Sequence, residues 1–314
     1  MGQNPGEPAP GRSKNDRETR MSKPTIGFIG LGLMGAAMVE CLQKAGYPLV
    51  VIANRSRDAV DAAVERGARE VTSTADLAAA SDIVMFCMAT SDNVESRVYT
   101  EDGLLAGLRP GTVVIDFGTS IPASTLKVGA DIAAKGASYL DAPLGRTPAH
   151  AIDGLLNIMC SGDKAAFDTV KPVLDDLGEN VFHLGALGTG HTIKLINNFF
   201  AMTTACAMSE AFATADKAGI PRQVLYDVMS AGPLRSGMMD FIKAYATDGE
   251  IELAFTIDNA KKDLGYFLRM TEDLKAGSTL APVTSGLLGD ASEAGKGDAM
   301  VPEVLDFITA SQQD

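Results

Sequence analysis

The chain has 314 residues, of which 46% are hydrophobic and 21% charged, and its net charge is −13. This length is enough for two domains with a sizeable core, and the acidic balance argues against nucleic acid or an anionic membrane as the main partner. No apolar run approaches the length of a membrane span. The four cysteines form no CxxC pair, so neither a disulfide framework nor a metal site is predicted. We expect a protein of a reducing compartment, the cytoplasm.

Residues 1–22 have almost no apolar side chains and are rich in proline, glycine and charge. Such a segment cannot bury a core, so a disordered tail is predicted here. It also lacks the apolar stretch that a secretory signal requires.

Residues 25–56 follow the order strand, glycine-rich turn, helix, strand. This order is the dinucleotide-binding fingerprint, although an ordinary tight strand-to-helix turn is the alternative. Gly30 allows the tight turn, Gly32 lets the backbone approach a pyrophosphate, and Gly35 lets the helix pack close on the strand. The helix N-terminus offers free N–H groups to the phosphates. The predicted contacts of this turn are Gly30, Leu31, Gly32, Leu33, Met34 and Gly35.

The end of the second strand indicates which dinucleotide binds. An acid there would bind the ribose 2′-hydroxyl of NAD and repel a 2′-phosphate. This chain has Asn54, Arg55, Ser56 and Arg57, with no acid before Asp58. A guanidinium binds phosphate well, so NADP is the predicted cofactor and NAD stays possible. The alternative is that both arginines are solvated loop charges.

Strand and helix patterns alternate as far as residue 183, which predicts an α/β fold with a doubly wound parallel sheet. Ligands bind at the carboxyl ends of such strands, so we expect three turns to face the cofactor. These turns are Met88-Ala89-Thr90, Gly118-Thr119-Ser120 and Leu144-Gly145-Arg146-Thr147.

From residue 188 the chain reads as helix after helix, beginning with a long pattern over His191–Ala218. We therefore predict a Rossmann domain over residues 23–187 and an all-α domain for substrate binding and dimerisation over residues 188–314. The long helix is expected to join them. At its start Lys194 and Asn198 share one face, because they are four residues apart. Asparagine is a poor mid-helix residue, so this pair marks either a site or a solvated first turn.

Five motifs carry a resemblance to a known family: GFIGLGLMG, DFGTSIP, DAPLGRTPAHAIDG, GTGHTIKLINN and NAKKDLG. From Ile26 onward the chain resembles the β-hydroxyacid dehydrogenases, whose fold is a Rossmann domain followed by an all-α domain. The resemblance implies that Lys194 is the catalytic acid/base and that Asn198 holds the substrate. The other implied contacts are Asn197 and Thr119 with the substrate, Thr119 also with the nicotinamide, Lys262 with the nicotinamide, and Met88 and Ala89 with the adenosine and pyrophosphate side of the cofactor.

One loop departs from the family pattern. Most members have Ser-Gly-Gly where this chain has Gly145-Arg146-Thr147, and the sequence here resembles that of the sulfolactaldehyde reductases within the family. An arginine there places a forked cation at the anionic end of the substrate. Alternatively, Arg146 pairs only with Asp141 or Asp153. The substrate would then be a carboxylate: 3-hydroxyisobutyrate, tartronate semialdehyde or succinic semialdehyde.

The predicted function is therefore NAD(P)-dependent reduction of a small anionic aldehyde to a hydroxy acid or hydroxysulfonate, with 3-sulfolactaldehyde as the favoured substrate. A homodimer or homotetramer is expected from the resemblance. A different class of function is a non-catalytic dinucleotide fold that binds other proteins, and the intact Lys194 and Asn198 pair argues against it. Arg235 is a second possible anion contact without an assigned role.

Overall fold

The computed structural model describes residues 23–54 and 57–312. The predicted disordered tail and the predicted cofactor contacts Arg55 and Ser56 therefore lie outside the described residues. Among the described residues, the first domain has nine strands and eight helices, which mostly alternate. The strands are β1 (Ile26–Ile29), β2 (Leu49–Ile52), β3 (Arg69–Val71), β4 (Ile83–Phe86), β5 (Val113–Asp116), β6 (Ser138–Asp141), β7 (Leu144–Gly145), β8 (Leu156–Gly162) and β9 (Gly178–His183). The helices are α1 (Leu33–Lys44), α2 (Asp58–Glu65), α3 (Thr74–Ala79), α4 (Ser91–Tyr99), α5 (Leu104–Gly107), α6 (Pro122–Ala133), α7 (Pro148–Ile152) and α8 (Lys164–Leu177).

The sheet has the strand order β3-β2-β1-β4-β5-β6-β8-β7, with β9 paired to β8. Strands β1 to β6 are parallel, as predicted. The chain reverses its direction of travel across the sheet between β1 and β4, which opens the crevice where such folds bind ligands.

The parallel prediction is wrong at β8, which runs antiparallel to both β6 and β7. A parallel return needs a long crossover, usually a full helix, and the helix before β8 has five residues. The predicted turn at Leu144–Thr147 is also partly wrong, because Leu144 and Gly145 pair with Ile158 and Asn157 as a short strand.

The central strands are buried on both faces. All four residues of β1, β2, β4 and β5 are buried. Neighbouring residues such as Phe28 and Ile29 belong to different apolar clusters, one on each side of the sheet. This explains why the strands read as continuous apolar runs and not as alternating patterns.

The second domain is helical and begins with α9 (Thr189–Lys217), whose 29 residues span about 44 Å. The remaining helices are α10 (Arg222–Ser230), α11 (Gly237–Lys243), α12 (Ile257–Asp273), α13 (Ala281–Ala291) and α14 (Val304–Ser311). Phe212, Met202 and Met208 of α9 lie in the apolar core of this domain. Among the described residues, no helix combines the length and apolarity that crossing a membrane requires.

The start of α9 is fixed to the first domain by Asp141, the last residue of β6. The buried Asp141 carboxylate accepts hydrogen bonds from the backbone N–H groups of Gly188 (2.8 Å) and His191 (2.7 Å). Ser161 donates its hydroxyl to the same carboxylate. An acid at a helix N-terminus is favourable, so this contact sets where the first turns of α9 lie.

Candidate active site

A cleft of about 1100 Å³ lies between the carboxyl edge of the parallel sheet and helices α9, α11 and α12. Most of the predicted site residues that the structure describes line this cleft. They are Gly30, Leu31, Gly32, Leu33, Met34, Gly35, Asn54, Met88, Ala89, Thr119, Gly145, Arg146, Thr147, Lys194, Asn197, Asn198 and Lys262. Residues that are up to 232 positions apart in the chain, from Gly30 to Lys262, thus meet in one place.

The glycine-rich turn has the geometry that a pyrophosphate requires. Gly30 has φ +98°, a left-handed conformation that favours glycine. A Cβ on Gly35 would lie 1.9 Å from the carbonyl oxygen of Gly30, so only glycine lets α1 pack this closely. A Cβ on Gly32 would instead meet nothing within 4 Å in the described protein. No side chain of the described residues caps the α1 N-terminus and its first turn holds no acid, so the turn fits a bound phosphate.

Sequence reasoning missed a cation at the ribose end of the cleft. Arg97 of α4 lines the cleft and donates a hydrogen bond to the Asn54 side-chain oxygen (3.2 Å). Arg57 is engaged elsewhere, by Asp61 at 2.8 Å and Glu70 at 3.1 Å. Arg97 lies 43 residues after Asn54, so the sequence does not place the two together. The one feature that could have pointed to Arg97 is that it is a basic residue on a helix that follows a strand end.

Lys194 and Asn198 lie one turn apart on α9, as their spacing predicted. Burial lowers the pKa of Lys194 below its usual value, because desolvation disfavours the ammonium form. The charge of Asp263 acts in the opposite direction and raises this pKa, while the Lys262 ammonium lowers it further. The cleft therefore holds a lysine whose proton is easier to remove than that of a surface lysine.

Asp263 is the second residue that sequence reasoning missed. It is 2% exposed, and one carboxylate oxygen accepts a hydrogen bond of 2.6 Å from Asn198 Nδ2. Its other oxygen, Oδ1, lies 3.0 Å from Lys262 Nζ, an ion-pair distance, although no hydrogen bond from the described residues reaches Oδ1. Asn197 Nδ2 donates to Asn198 Oδ1 at 3.2 Å. Both ends of the Asn198 amide are therefore oriented by neighbours.

Two hydrogen bonds join helix α12 to the first domain. Lys262 Nζ donates to the carbonyl oxygen of Ala89 at 2.7 Å. The Tyr266 hydroxyl accepts from the backbone N–H of Ser91, the first residue of α4, at 3.1 Å. These contacts place Lys262 beside the loop that follows β4.

Arg146 has left-handed backbone geometry, with φ +79°. Its Nη1 atom donates to the carbonyl oxygen of Leu155 (2.7 Å) and lies 2.5 Å from a Glu179 carboxylate oxygen. The predicted ion pair of Arg146 with Asp141 or Asp153 is therefore wrong, because the partner is Glu179. The Asp141 carboxylate instead accepts hydrogen bonds at the start of α9. A positive φ favours glycine, the residue that the resemblance implies at this position.

The remaining polar candidates differ in the contacts that their side chains make. Thr119 is partly exposed after β5, and no hydrogen bond joins its hydroxyl to the described residues. The Thr147 hydroxyl lies 2.7 Å from His150 Nδ1. Arg235 lies on an exposed loop, 3.5 Å from Asp240, and does not line the cleft. No group of His, Cys, Asp and Glu within the described residues could hold a metal ion.

Comparisons with known proteins agree with this architecture. Residues 25–185 match the NAD-binding domain model of 6-phosphogluconate dehydrogenase, and residues 188–308 match the model for the NAD-binding region of NADP-dependent 3-hydroxyisobutyrate dehydrogenase. The chain is 32% identical to the 2-(hydroxymethyl)glutarate dehydrogenase of Eubacterium barkeri, over 83% of this chain and 85% of that one. It is 31% identical to the 3-sulfolactaldehyde reductase of Escherichia coli, over 91% of this chain and 96% of that one. The structure of Mycobacterium tuberculosis 3-hydroxyisobutyrate dehydrogenase with L-serine is similar, with a TM-score of 0.83, 26% identity and coverage of 91% of this chain and 99% of that one.

Proposed function

Because the chain belongs to the β-hydroxyacid dehydrogenase family, we propose that it reduces a small anionic aldehyde to its alcohol and that this aldehyde is 3-sulfolactaldehyde. The family consists of NAD(P)-dependent dehydrogenases that act on hydroxyl groups, so the chain is an oxidoreductase. One observation carries the finer proposal: Arg146 lines the cleft in the loop after β7. The resemblance implies a small, uncharged Ser-Gly-Gly at this loop, so the arginine marks a different anion site.

The nicotinamide dinucleotide supplies the hydride when it is bound. The turn over residues 30–35 would hold its pyrophosphate on the uncapped N-terminus of α1. Arg97 and Arg55 are the cations proposed for a ribose 2′-phosphate, with Asn54 beside Arg97. The end of β2 carries no acid that would repel this phosphate, which supports NADPH over NADH.

The proton for the new alkoxide would come from Lys194. Its lowered pKa makes it a better proton donor near neutral pH than an ordinary lysine. Asn198 Nδ2 carries two N–H bonds, and one of them is donated to Asp263. The second N–H is available to the reacting oxygen, so Asp263 fixes Asn198 as a donor toward the substrate.

The anionic end of the substrate would bind near Arg146. A sulfonate has three oxygens and a larger head than a carboxylate, and a planar guanidinium can bind two of those oxygens at once. The relative from Escherichia coli acts on 3-sulfolactaldehyde by its name, which supports the same substrate here. Its 31% identity extends over 91% of this chain.

A carboxylate aldehyde is the second candidate substrate, and the Arg146–Glu179 ion pair favours it. This pair gives Arg146 a structural partner and neutralises part of its charge. The dehydrogenase from Mycobacterium tuberculosis, solved with L-serine, is a relative whose bound molecule carries a carboxylate. Tartronate semialdehyde and succinic semialdehyde would then be reduced in preference.

Steady-state kinetics of the full chain and of Arg146→Asn distinguish these substrates. Asparagine tolerates the left-handed backbone, so this variant removes the cation without changing the loop geometry. We expect kcat/KM for 3-sulfolactaldehyde with NADPH to fall roughly 10- to 100-fold, as the loss of a charge-assisted contact predicts. Arg235→Asn, the same charge change outside the cleft, is the control. The sulfonate proposal would be overturned if the wild type had its highest kcat/KM with a carboxylate aldehyde and Arg146→Asn left kcat/KM unchanged.

A further inference from the structure

Glu179 lies at an irregular point of the β8–β9 pairing. Leu156 pairs with Gly178, but the next residue of β8, Asn157, pairs with Asn180. Glu179 is therefore the extra residue of a β-bulge. Bulges turn a side chain away from the direction that regular pairing would give it. Here the side chain extends to the neighbouring loop and reaches Arg146.

Both contacts of the Arg146 side chain use the same nitrogen. Nη1 donates to the Leu155 carbonyl oxygen at 2.7 Å and lies 2.5 Å from the Glu179 carboxylate. Within residues 23–54 and 57–312, no acceptor is hydrogen-bonded to Nε or Nη2. These two atoms form the edge of a guanidinium that binds two oxygens of one anion side by side.

Arg146 needs contacts that fix it. Its left-handed backbone is uncommon for a residue other than glycine and persists when the surroundings determine it. An arginine side chain also has many rotamers, so an unrestrained Arg146 would lose freedom each time that it bound an anion. Glu179 and the Leu155 carbonyl restrain the guanidinium before the substrate arrives, and preorganisation of this kind favours binding.

We propose that Glu179 is a positioning residue that holds Nη1 of Arg146 so that the Nε and Nη2 edge receives the anionic end of the substrate. The inference rests on the proposed function of Arg146. Glu179 acts through the arginine and does not touch the substrate. Its negative charge would also repel an anion, but the carboxylate is half exposed and water screens it. Positioning therefore outweighs repulsion.

The test compares Glu179→Ala and Glu179→Gln with the wild-type full chain, using NADPH and 3-sulfolactaldehyde. We expect Glu179→Ala to raise KM about tenfold and to leave kcat within about twofold, because the ordering of a binding group is lost and the proton transfer is not. Glu179→Gln keeps an acceptor for Nη1 and is expected to restore most of the affinity. NADPH affinity, measured by fluorescence titration, should stay unchanged in both variants.

Two controls make the result specific to Arg146. Glu272→Ala removes an equal charge from an exposed position of α12 and should have wild-type kinetics. In an Arg146→Asn background, Glu179→Ala should have no further effect, because the residue through which it acts is gone.

The outcomes separate this inference from the proposed function. If Arg146→Asn weakens anion binding but both Glu179 variants behave like the wild type, the positioning role is wrong and the proposed function stands. If Glu179→Ala lowers KM, Glu179 competes with the substrate, which also overturns the inference. If Arg146→Asn has no effect on any anionic aldehyde, the proposed function fails first and the inference fails with it.

Discussion

At the residue scale, the charge balance around Lys194 predicts a pH dependence. Reduction needs a protonated Lys194, so its rate should fall as the pH rises through the pKa of this lysine. Burial and Lys262 lower that pKa, and Asp263 raises it. Asp263→Asn removes the raising charge, so the fall in kcat should begin at a lower pH than in the wild type. Oxidation needs the neutral amine and should gain activity at a lower pH in the same variant.

Asp263→Asn should also reduce kcat/KM about tenfold, because Asn198 loses a charged acceptor that fixes its amide. Asp273→Asn is the matched control, since it makes the same charge change on the same helix at an exposed site. Profiles of kcat against pH for the three proteins, in both reaction directions, measure the effect. If kcat of Asp263→Asn fell over the same pH range as kcat of the wild type, the role assigned to the Asp263 charge would be wrong.

The sequence predicted the residues of the cleft unequally well. Lys194 and Asn198 stand out because polar residues on an apolar helix are conspicuous at a spacing of four. Asp263 lies in the next motif, 65 residues after Asn198, and the contact between the two is known only once α9 and α12 pack together. Arg97 and Glu179 are ordinary surface charges in the sequence, and the fold alone brings them to Asn54 and Arg146.

At the element scale, two glycines of the same turn should respond differently to a methyl group. Gly35→Ala places Cβ 1.9 Å from a backbone oxygen of Gly30, so α1 must move and the protein should lose about 2 kcal/mol or more of stability. Gly32→Ala meets nothing within 4 Å among the described residues, so its folding should be unaffected. Its methyl would occupy the space proposed for the pyrophosphate, and NADPH affinity should fall at least about tenfold.

Thermal unfolding and fluorescence titration with NADPH, applied to both alanine variants, test this contrast. Gly32→Ala serves as the folded control for Gly35→Ala. Normal NADPH binding by Gly32→Ala would show that the dinucleotide does not approach the backbone at this residue.

The elements themselves were largely predictable, and so was the parallel direction of β1 to β6, but the direction of β8 was not. Short apolar runs bounded by glycine and polar residues indicate β1, β2, β4 and β5, which the structure confirms as strands. The apolar residues of β8 also indicate a strand, but a strand pattern does not contain its direction. The direction of a strand depends on the connection that precedes it. The five-residue helix α7 before β8 is too short for the crossover that a parallel pairing needs. The two-residue β7 is below the length at which alternation can be recognised.

At the scale of the whole molecule, the position of Lys194, the proposed proton donor, depends on a contact between the two domains. The Asp141 carboxylate binds the N–H groups of Gly188 and His191, and Lys194 follows less than one turn later.

Asp141→Ala would leave these buried groups without an acceptor, which costs roughly 3 kcal/mol or more of stability. It would also release the start of α9, so kcat should fall more than NADPH affinity, because the proposed pyrophosphate and ribose contacts lie in the first domain. Chemical denaturation and steady-state kinetics measure both effects, with Asp153→Ala, an exposed acid of the same loop region, as the control. An Asp141→Ala variant with wild-type stability and kcat would mean that α9 is held by its apolar contacts and not by this carboxylate.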